Sequence, residues 1–219
     1  MKRFCRNNGL SLVLFGLFFC TLLTGQFFVG RLHYNNEQLE HGQAAVGYID
    51  YFFGNHFLEA TMENWESEFF QMFFFIILTV FLYQKGSAES KDPEGKEEVD
   101  RQPRAKKNSP WPVRRGGWVL KLYEHSLSLA FLLLFLGSFV LHAVGGAGEY
   151  NDQQRQHGQA ERVTTAEYMT TSQFWFESLQ NWQSEFLAVG SMVVLTIFLR
   201  EKGSKESKPV DAPHTSTGG

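Results

Sequence analysis

Four uncharged apolar runs dominate the sequence and restrict the folds that are open to it. The first, residues 10–29, has about 20 residues, the length needed to cross a hydrocarbon core roughly 30 Å thick. The other runs are shorter, and a helix of about 15 residues spans only about 22 Å, so their helices have to begin upstream. We therefore predict an all-α, four-helix transmembrane bundle with spans at about residues 10–29, 65–84, 122–144 and 182–200.

A soluble bundle with buried helices is one alternative interpretation of these runs. A cleaved signal peptide is another for the first run, because Lys2, Arg3 and Arg6 precede it. The first run is long for a signal peptide, however, and no small-x-small cleavage site follows it. We therefore favour the membrane-spanning interpretation.

The distribution of basic residues predicts the orientation in the membrane. Of the 20 Lys and Arg residues, 17 lie before the first run, between the second and third, or after the fourth. The other three, Arg31, Arg155 and Arg162, lie between the two apolar runs of each half, at 30–68 and 145–185, and these segments also hold 13 of the 23 acidic residues. Because basic loops stay in the cytoplasm, we expect both termini and the central linker there and the two other loops outside.

The chain also repeats itself. Residues 64–69 (NWESEF) recur as residues 181–186 (NWQSEF), and matches at or near the same offset of 117 extend through both halves. The outer-loop pairs Tyr34-Asn35 and Tyr150-Asn151 are among these matches. Two helices in each half give both halves the same orientation, so we expect a parallel repeat about an axis along the membrane normal.

This duplication predicts four parts of the chain. The first repeat covers residues 1–85 with an outer loop at 31–64, and the second covers residues 118–202 with an outer loop at 145–181. Residues 86–117 and 203–219 are rich in charge, Pro and Gly, and we expect a disordered cytoplasmic linker and tail there.

The repeated motifs resemble those of a known family. Residues 3–11 (RFCRNNGLS), the Tyr-Asn to His-Gly loop at 34–42, Asn-Trp-Glu-Ser-Glu-Phe at 64–69 and residues 85–91 (KGSAESK) are similar to a family of uncharacterised bacterial integral membrane proteins. The resemblance spans nearly the whole chain. It implies a location in the bacterial inner membrane, and it supplies no activity, substrate or catalytic residue.

The repeated Asn-Trp-x-Ser-Glu-Phe motif is the main candidate site. Helices that begin near Asn55 and Ser172, both good N-caps, would place the motif at the outer membrane boundary. The candidate site at this edge comprises Asn64, Ser67, Glu68, Asn181, Ser184 and Glu185.

Two interpretations of this membrane-edge site remain open. If Glu68 and Glu185 face each other, they form a proton or cation site, because ionisable groups at membrane depth are often functional. Alternatively the glutamates point into water while Trp65 and Trp182 anchor the helices at the headgroup level.

The outer-loop histidines are weak metal candidates. His41 and His157 are the two that occupy equivalent positions in both halves, but they lack metal-ligand spacing. A turn is the other interpretation, with Gly42 and Gly158 at positive φ. We therefore predict no metal and no cofactor.

Composition excludes several functional classes. Basic and acidic residues are nearly balanced, which excludes a polybasic nucleic-acid binder, and two cysteines exclude a disulfide scaffold. No catalytic residues are predicted. The expected partners are the lipid bilayer and either other membrane proteins or a second copy of the chain. The leading hypothesis is a non-catalytic structural, accessory or envelope-interaction protein, and the alternative is a proton- or cation-conducting or transporting protein that uses Glu68 and Glu185.

Overall fold

The computed structural model describes residues 2–158 and 162–218. Within these ranges the chain forms helices joined by turns and has no strand, which confirms the predicted all-α class. Gln159 and Ala160, which repeat Gln43 and Ala44 of the first half, lie outside the described residues.

The chain begins with a long helical segment. Helix α1 (Lys2–Thr21), a π-helical stretch (Leu22–Val29) and helix α2 (Gly30–Glu40) follow one another without a break. The Thr24 hydroxyl donates to the Cys20 carbonyl at 2.7 Å, so a side chain helps to satisfy the backbone where the helix widens. The helix thus continues well into the expected outer loop, and a short helix α3 (Tyr48–Phe52) follows it.

Two helices of 27 residues carry the repeated Asn-Trp motif. Helix α4 (Asn55–Phe81) and helix α9 (Ser172–Phe198) begin at the two residues expected near their N-termini. Each is about 40 Å long at 1.5 Å per residue. Both end two or three residues before the predicted boundaries at 84 and 200.

The middle of the chain contains helices α5 (Trp111–Arg115), α6 (Gly117–Glu124), α7 (Ser126–Gln156) and α8 (Thr165–Tyr168). Helix α7 continues to Gln156, so the first part of the predicted outer loop at 145–181 is helical.

Two glycines within α7, Gly145 and Gly146, allow neighbouring groups to approach this helix closely. A Cβ on Gly145 would lie 2.6 Å from the backbone nitrogen of Glu59. A Cβ on Gly146 would lie 2.4 Å from the Tyr168 ring. These glycines are therefore packing positions.

Among the described residues, two helical segments are long and apolar enough to cross a membrane, Lys2–Glu40 and Ser126–Gln156. Helices α4 and α9 are not among them. Their apolar runs are short, and each is preceded within the same helix by polar and acidic residues, at 64–68 in α4 and at 181–185 in α9.

The linker and tail contain hydrogen-bonded turns where the sequence predicts disorder. The Lys208 ammonium is buried and donates to the carbonyl oxygens of Gly86 (2.5 Å), Ser216 (2.8 Å), His214 (3.1 Å) and Pro213 (3.3 Å). Composition alone does not reveal such a contact, because it depends on backbone carbonyls brought together by turns.

The chain divides into two compact units. Unit 1 consists of Met1–Trp65 and Ser138–Glu177, and unit 2 consists of Glu66–Gly137 and Ser178–Gly219. The core of unit 1 comprises Ala143, Ala147, Tyr168 and Phe174. In unit 2, Phe70 stacks on Trp182 with ring centroids 4.2 Å apart.

Residues matched by the sequence repeat make the same hydrogen bonds within unit 1. The Asn35 side chain accepts from the Val46 amide at 2.8 Å and donates to the Val46 carbonyl at 3.2 Å. Asn151 does the same with Val163, at 2.8 and 2.9 Å. In each case the asparagine side chain binds both the N–H and the C=O of one later residue. These two bonds hold the segment that follows the helix against the helix that carries the asparagine.

Candidate functional site

Unit 1 contains a cluster of ionisable side chains from three helices. Glu59 lies on α4, His142 on α7 and Glu177 on α9, and one ligand atom from each lies within 4.8 Å of those of the other two. The His142 side chain is fully buried and that of Glu177 is one-fifth exposed. We call Glu59, His142 and Glu177 the carboxylate–histidine cluster.

Tyr168 connects the two carboxylates. Its hydroxyl lies 2.8 Å from Glu177 Oε2 and 3.3 Å from Glu59 Oε1, so one O–H group is shared between the two acceptors. The Gln173 side-chain amide donates to Glu177 Oε1 at 3.0 Å, and His142 Nε2 lies 3.4 Å from Glu177 Oε2. Both oxygens of Glu177 are therefore held in place.

Aromatic packing fixes the orientation of the cluster. The His142 ring stacks on Phe174, with centroids 4.9 Å and planes 30° apart, and Tyr168 meets Phe174 edge-on at 5.7 Å. Both Tyr168 and Phe174 are fully buried. Because Gly145 and Gly146 lack side chains, Glu59 and Tyr168 can lie directly against α7. Few alternative rotamers are open to groups packed in this way.

Burial and crowding of negative charge perturb the acids of the cluster. Burial, followed by the charges of Glu177 and Glu149, raises the pKa of the Glu59 carboxyl to about 8. Burial also acts to raise the pKa of Glu177, but hydrogen bonds from His142, Tyr168 and Gln173 outweigh it and hold that pKa below its usual value. The pKa of Tyr168 is raised by burial and by its bonds to the carboxylates, so it stays a donor.

Glu149, on α7, is a further carboxyl group of unit 1 within electrostatic reach of Glu59. Its side chain is buried, and its charge contributes to the raised pKa of Glu59. Gln153 donates to Oε1 of Glu149 at 3.4 Å, whereas the buried Oε2 has no hydrogen-bond partner among the described residues. A buried carboxylate oxygen without a hydrogen-bond partner costs free energy, and a nearby positive charge would reduce that cost.

Two carboxylates and an imidazole at this spacing form a recognisable donor set. Carboxylate oxygens and an imidazole nitrogen are ligands for divalent metal ions. The same groups can also share a proton between His142 and Glu177. The described residues that could hold a metal are therefore Glu59, His142 and Glu177.

The predicted membrane-edge glutamates lie in unit 2 and are less enclosed than the cluster. Glu68 is exposed and Glu185 is partly buried. The negative charge of Glu68 acts on Glu185, so the two equivalent carboxyl groups lie within electrostatic reach of each other. The fully buried acid of the motif is Glu66, which the sequence analysis did not select.

The other polar residues of the motif make local contacts. The Asn64 amide donates to the Ala60 carbonyl at 2.7 Å, four residues back along α4. The Ser184 hydroxyl donates to the Asn181 carbonyl at 2.8 Å, and Ser67 is buried.

The two motif tryptophans pack against aromatic side chains. In unit 1 the ring centroids of Trp65 and Phe18 are 5.8 Å apart, and in unit 2 the Trp182 ring stacks on Phe70. Both are partly buried, so part of each indole is used for packing within the protein.

The equivalent histidines lie together. The rings of His41 and His157 are 5.6 Å apart, and in each the Nδ1 atom pairs with a carbonyl four residues back, at 2.9 and 2.8 Å. Gly42 and Gly158 have φ values of 71° and 73°, which confirms the predicted turn after each helix.

The carboxylate–histidine cluster could not be predicted from the sequence. Its ligands come from separate helices and show no common spacing. One local signal was present, because His142 interrupts an otherwise apolar run. A polar group that persists in such a run needs a buried partner, and those partners are set by the fold.

Comparison with known proteins places the chain in a family without assigning an activity. No curated protein and no solved structure matches it significantly. A family model matches residues 1–219, and the chain belongs to the family described as "Domain of unknown function (DUF6766)".

Proposed function

We propose that the chain is a multi-pass protein of the bacterial inner membrane with four spans and with both termini and the linker in the cytoplasm. The bias of basic residues supports this topology, with formal charges of +7 for the cytoplasmic parts and −10 for the outer parts, which together give −3. The repeated asparagine contacts, Asn35 with Val46 and Asn151 with Val163, support the duplication on which the four-span arrangement rests.

The observation that carries the membrane proposal is the apolar surface of α1. No residue of Lys2–Thr21 is buried, and large apolar side chains such as Phe15 (64% exposed) and Val13 (61%) cover the helix. A contiguous apolar surface of this extent is unfavourable in water and marks a membrane or protein contact. The uncharged run at 10–29, which continues from α1 into the π-helical stretch, has about 20 residues, and its length fits the lipid bilayer.

Within the membrane, the role we propose is non-catalytic, as a structural, accessory or envelope-interaction protein. The large side chains Phe70, Phe135, Trp182 and Phe186 of unit 2 pack against one another. Unit 1 holds its polar groups in a hydrogen-bonded core, with Tyr168 between Glu59 and Glu177. These features favour a rigid architecture over a reacting site.

Cysteine labelling tests the topology. With Cys5 and Cys20 replaced by serine, single cysteines are introduced at Gln43 and at Lys96, both of which are exposed. We expect a membrane-impermeant maleimide to label the Gln43→Cys variant in spheroplasts and the Lys96→Cys variant after the membrane is permeabilised. Labelling of Lys96→Cys from outside would overturn the orientation.

A second candidate function is proton or cation transport at Glu68 and Glu185. It is favoured by the electrostatic interaction between these two equivalent carboxyl groups. In liposomes, transport would appear as a gradient-driven flux that the Glu68→Gln/Glu185→Gln variant loses. The matched control is Glu40→Gln/Glu124→Gln, which removes one exposed acid from each half. Such a flux would refute the purely structural role.

A further inference from the structure

We propose that Glu59, His142 and Glu177 bind one first-row divalent transition-metal ion, of which Zn²⁺ is the probe of choice. This goes beyond the structural role proposed above, because it assigns a ligand to a specific place in unit 1.

The spacing of the ligand atoms fits a tetrahedral ion. His142 Nε2 and Glu177 Oε2 are 3.4 Å apart. Two ligands that each lie about 2.1 Å from a tetrahedral ion are separated by about 3.4 Å. The Glu59 carboxylate completes a set of three within 4.8 Å, so a modest rotation of its side chain would bring all three ligands to one centre. A water molecule would take the fourth position, as in other sites with three protein ligands.

The charge of the region also favours a divalent cation. The carboxylates of Glu59 and Glu177 lie together, and Glu149 on α7 is also buried in unit 1. Oε2 of Glu149 is buried and has no hydrogen-bond partner among the described residues. Buried carboxylates are stable when a cation neutralises them, and a metal ion is often the largest local charge in such a site.

Hydrogen bonds from neighbouring side chains fix the orientation of the two carboxylates, as metal ligands need. Tyr168 donates to both, and Gln173 donates to Glu177, so Tyr168 is a positioning residue that does not touch the ion. Such outer-shell partners orient ligands and commonly change metal affinity by 10–100-fold. The imidazole in the set favours a transition metal over Ca²⁺ or Mg²⁺, which prefer oxygen ligands, and Zn²⁺ binds more tightly than Mn²⁺.

A metal-free alternative explains the same contacts. A proton shared between His142 and Glu177, with Tyr168 as donor, would form a closed polar core that has no need of a cation. After chelation, the metal site would bind added Zn²⁺ and the proton-sharing core would not, so a titration distinguishes them.

The test is calorimetric titration of the full-length protein in detergent. The protein is purified through a tag without histidines, treated with EDTA and titrated with Zn²⁺, Mn²⁺, Ca²⁺ and Mg²⁺ in turn. We expect one Zn²⁺ per chain, weaker binding of Mn²⁺ and no binding of Ca²⁺ or Mg²⁺. His142→Gln and Glu59→Gln should each lower Zn²⁺ affinity by at least about 100-fold, since they remove a ligand.

Two further variants keep the test decisive. His41→Gln/His157→Gln removes the exposed histidine pair, which could bind adventitious Zn²⁺, and should leave the affinity unchanged. Tyr168→Phe keeps all three ligands and should lower the Zn²⁺ affinity by about 10–100-fold. It therefore tests the site even if the His142 variant fails to fold. In the Co²⁺-loaded protein, the visible absorption bands should shift in Tyr168→Phe, which a merely structural role would not cause.

Three results would overturn the proposal. The first is one-site Zn²⁺ binding that persists unchanged in His142→Gln, and the second is Zn²⁺ binding that disappears in His41→Gln/His157→Gln. The third is an absence of Zn²⁺ binding to the folded wild-type protein, which would identify the closed proton-sharing core. None of these results depends on the membrane topology.

Discussion

Replacement of Gly145 by alanine tests the contact between α7 and the start of α4 on which the position of Glu59 depends. A Cβ at residue 145 would lie 2.6 Å from the Glu59 nitrogen and 3.0 Å from its Cα. These are backbone atoms of a helix, so they cannot turn aside as the end of a flexible side chain does. The two segments of unit 1 therefore have to move apart.

The size of the effect follows from two opposing terms. Overpacking of this kind costs about 1–3 kcal/mol, and a contact with rigid backbone belongs at the upper end of that range. Alanine also gains about 1 kcal/mol over glycine inside a helix. We therefore expect Gly145→Ala to lower the free energy of unfolding by about 1–2 kcal/mol.

Gly137→Ala is the matched control. Gly137 lies in the same helix, and a Cβ there would meet nothing within 4 Å. The helix-propensity gain is common to both variants, so the difference between them isolates the packing term of about 1–3 kcal/mol. Unfolding is followed by circular dichroism as SDS is added to mixed micelles.

Two outcomes would refute this reasoning. If Gly145→Ala is as stable as Gly137→Ala, α7 does not contact the Glu59 backbone as closely as the structure places it. If Gly137→Ala is the more damaging substitution, the packing of α7 has been assigned to the wrong residues. A shift of the Glu59 backbone should also weaken Zn²⁺ binding in Gly145→Ala and leave it unchanged in Gly137→Ala.

Three other predictions follow from contacts outside the cluster. Asn35→Ala removes two hydrogen bonds to one peptide group and should cost about 1–3 kcal/mol of stability, whereas Asn36→Ala, at an exposed neighbour, should change it by less than about 0.5 kcal/mol. Burial lowers the pKa of His56, so its contribution to stability is present above about pH 6.5 and is lost as the pH falls below that value. His56→Gln should therefore reduce the difference in melting temperature between pH 7.5 and pH 5.5. An unchanged difference would contradict the burial of the His56 imidazole. Lys208→Met removes the ammonium group whose three N–H groups are shared among four carbonyl oxygens, and it should increase hydrogen exchange in residues 209–217. Lys205→Met, at an exposed position, should leave that exchange unchanged.

Features that depend on neighbouring residues along the chain could be predicted from the sequence. Helices α4 and α9 begin at Asn55 and Ser172, the residues expected near their N-termini, although at the start of α9 it is the Thr171 hydroxyl that accepts from the Phe174 amide. The turns at Gly42 and Gly158 were predictable because glycine tolerates positive φ. Exposure was not predictable in the same way: within one short motif Glu66 is buried and Glu68 is exposed, and that difference is set by what packs against each face of α4.

The sequence by itself determined the all-α class, the apolar runs, the asymmetric distribution of charge and the starts of the long helices, because each follows from composition or from contacts within a few residues. The tertiary structure alone decided that Glu59, His142 and Glu177 meet around Tyr168, that α7 continues through its glycines and that the Lys208 ammonium is enclosed by carbonyls. Those arrangements join residues far apart in the chain. Their energies depend on distance in space and on burial, and neither quantity is encoded in local sequence spacing.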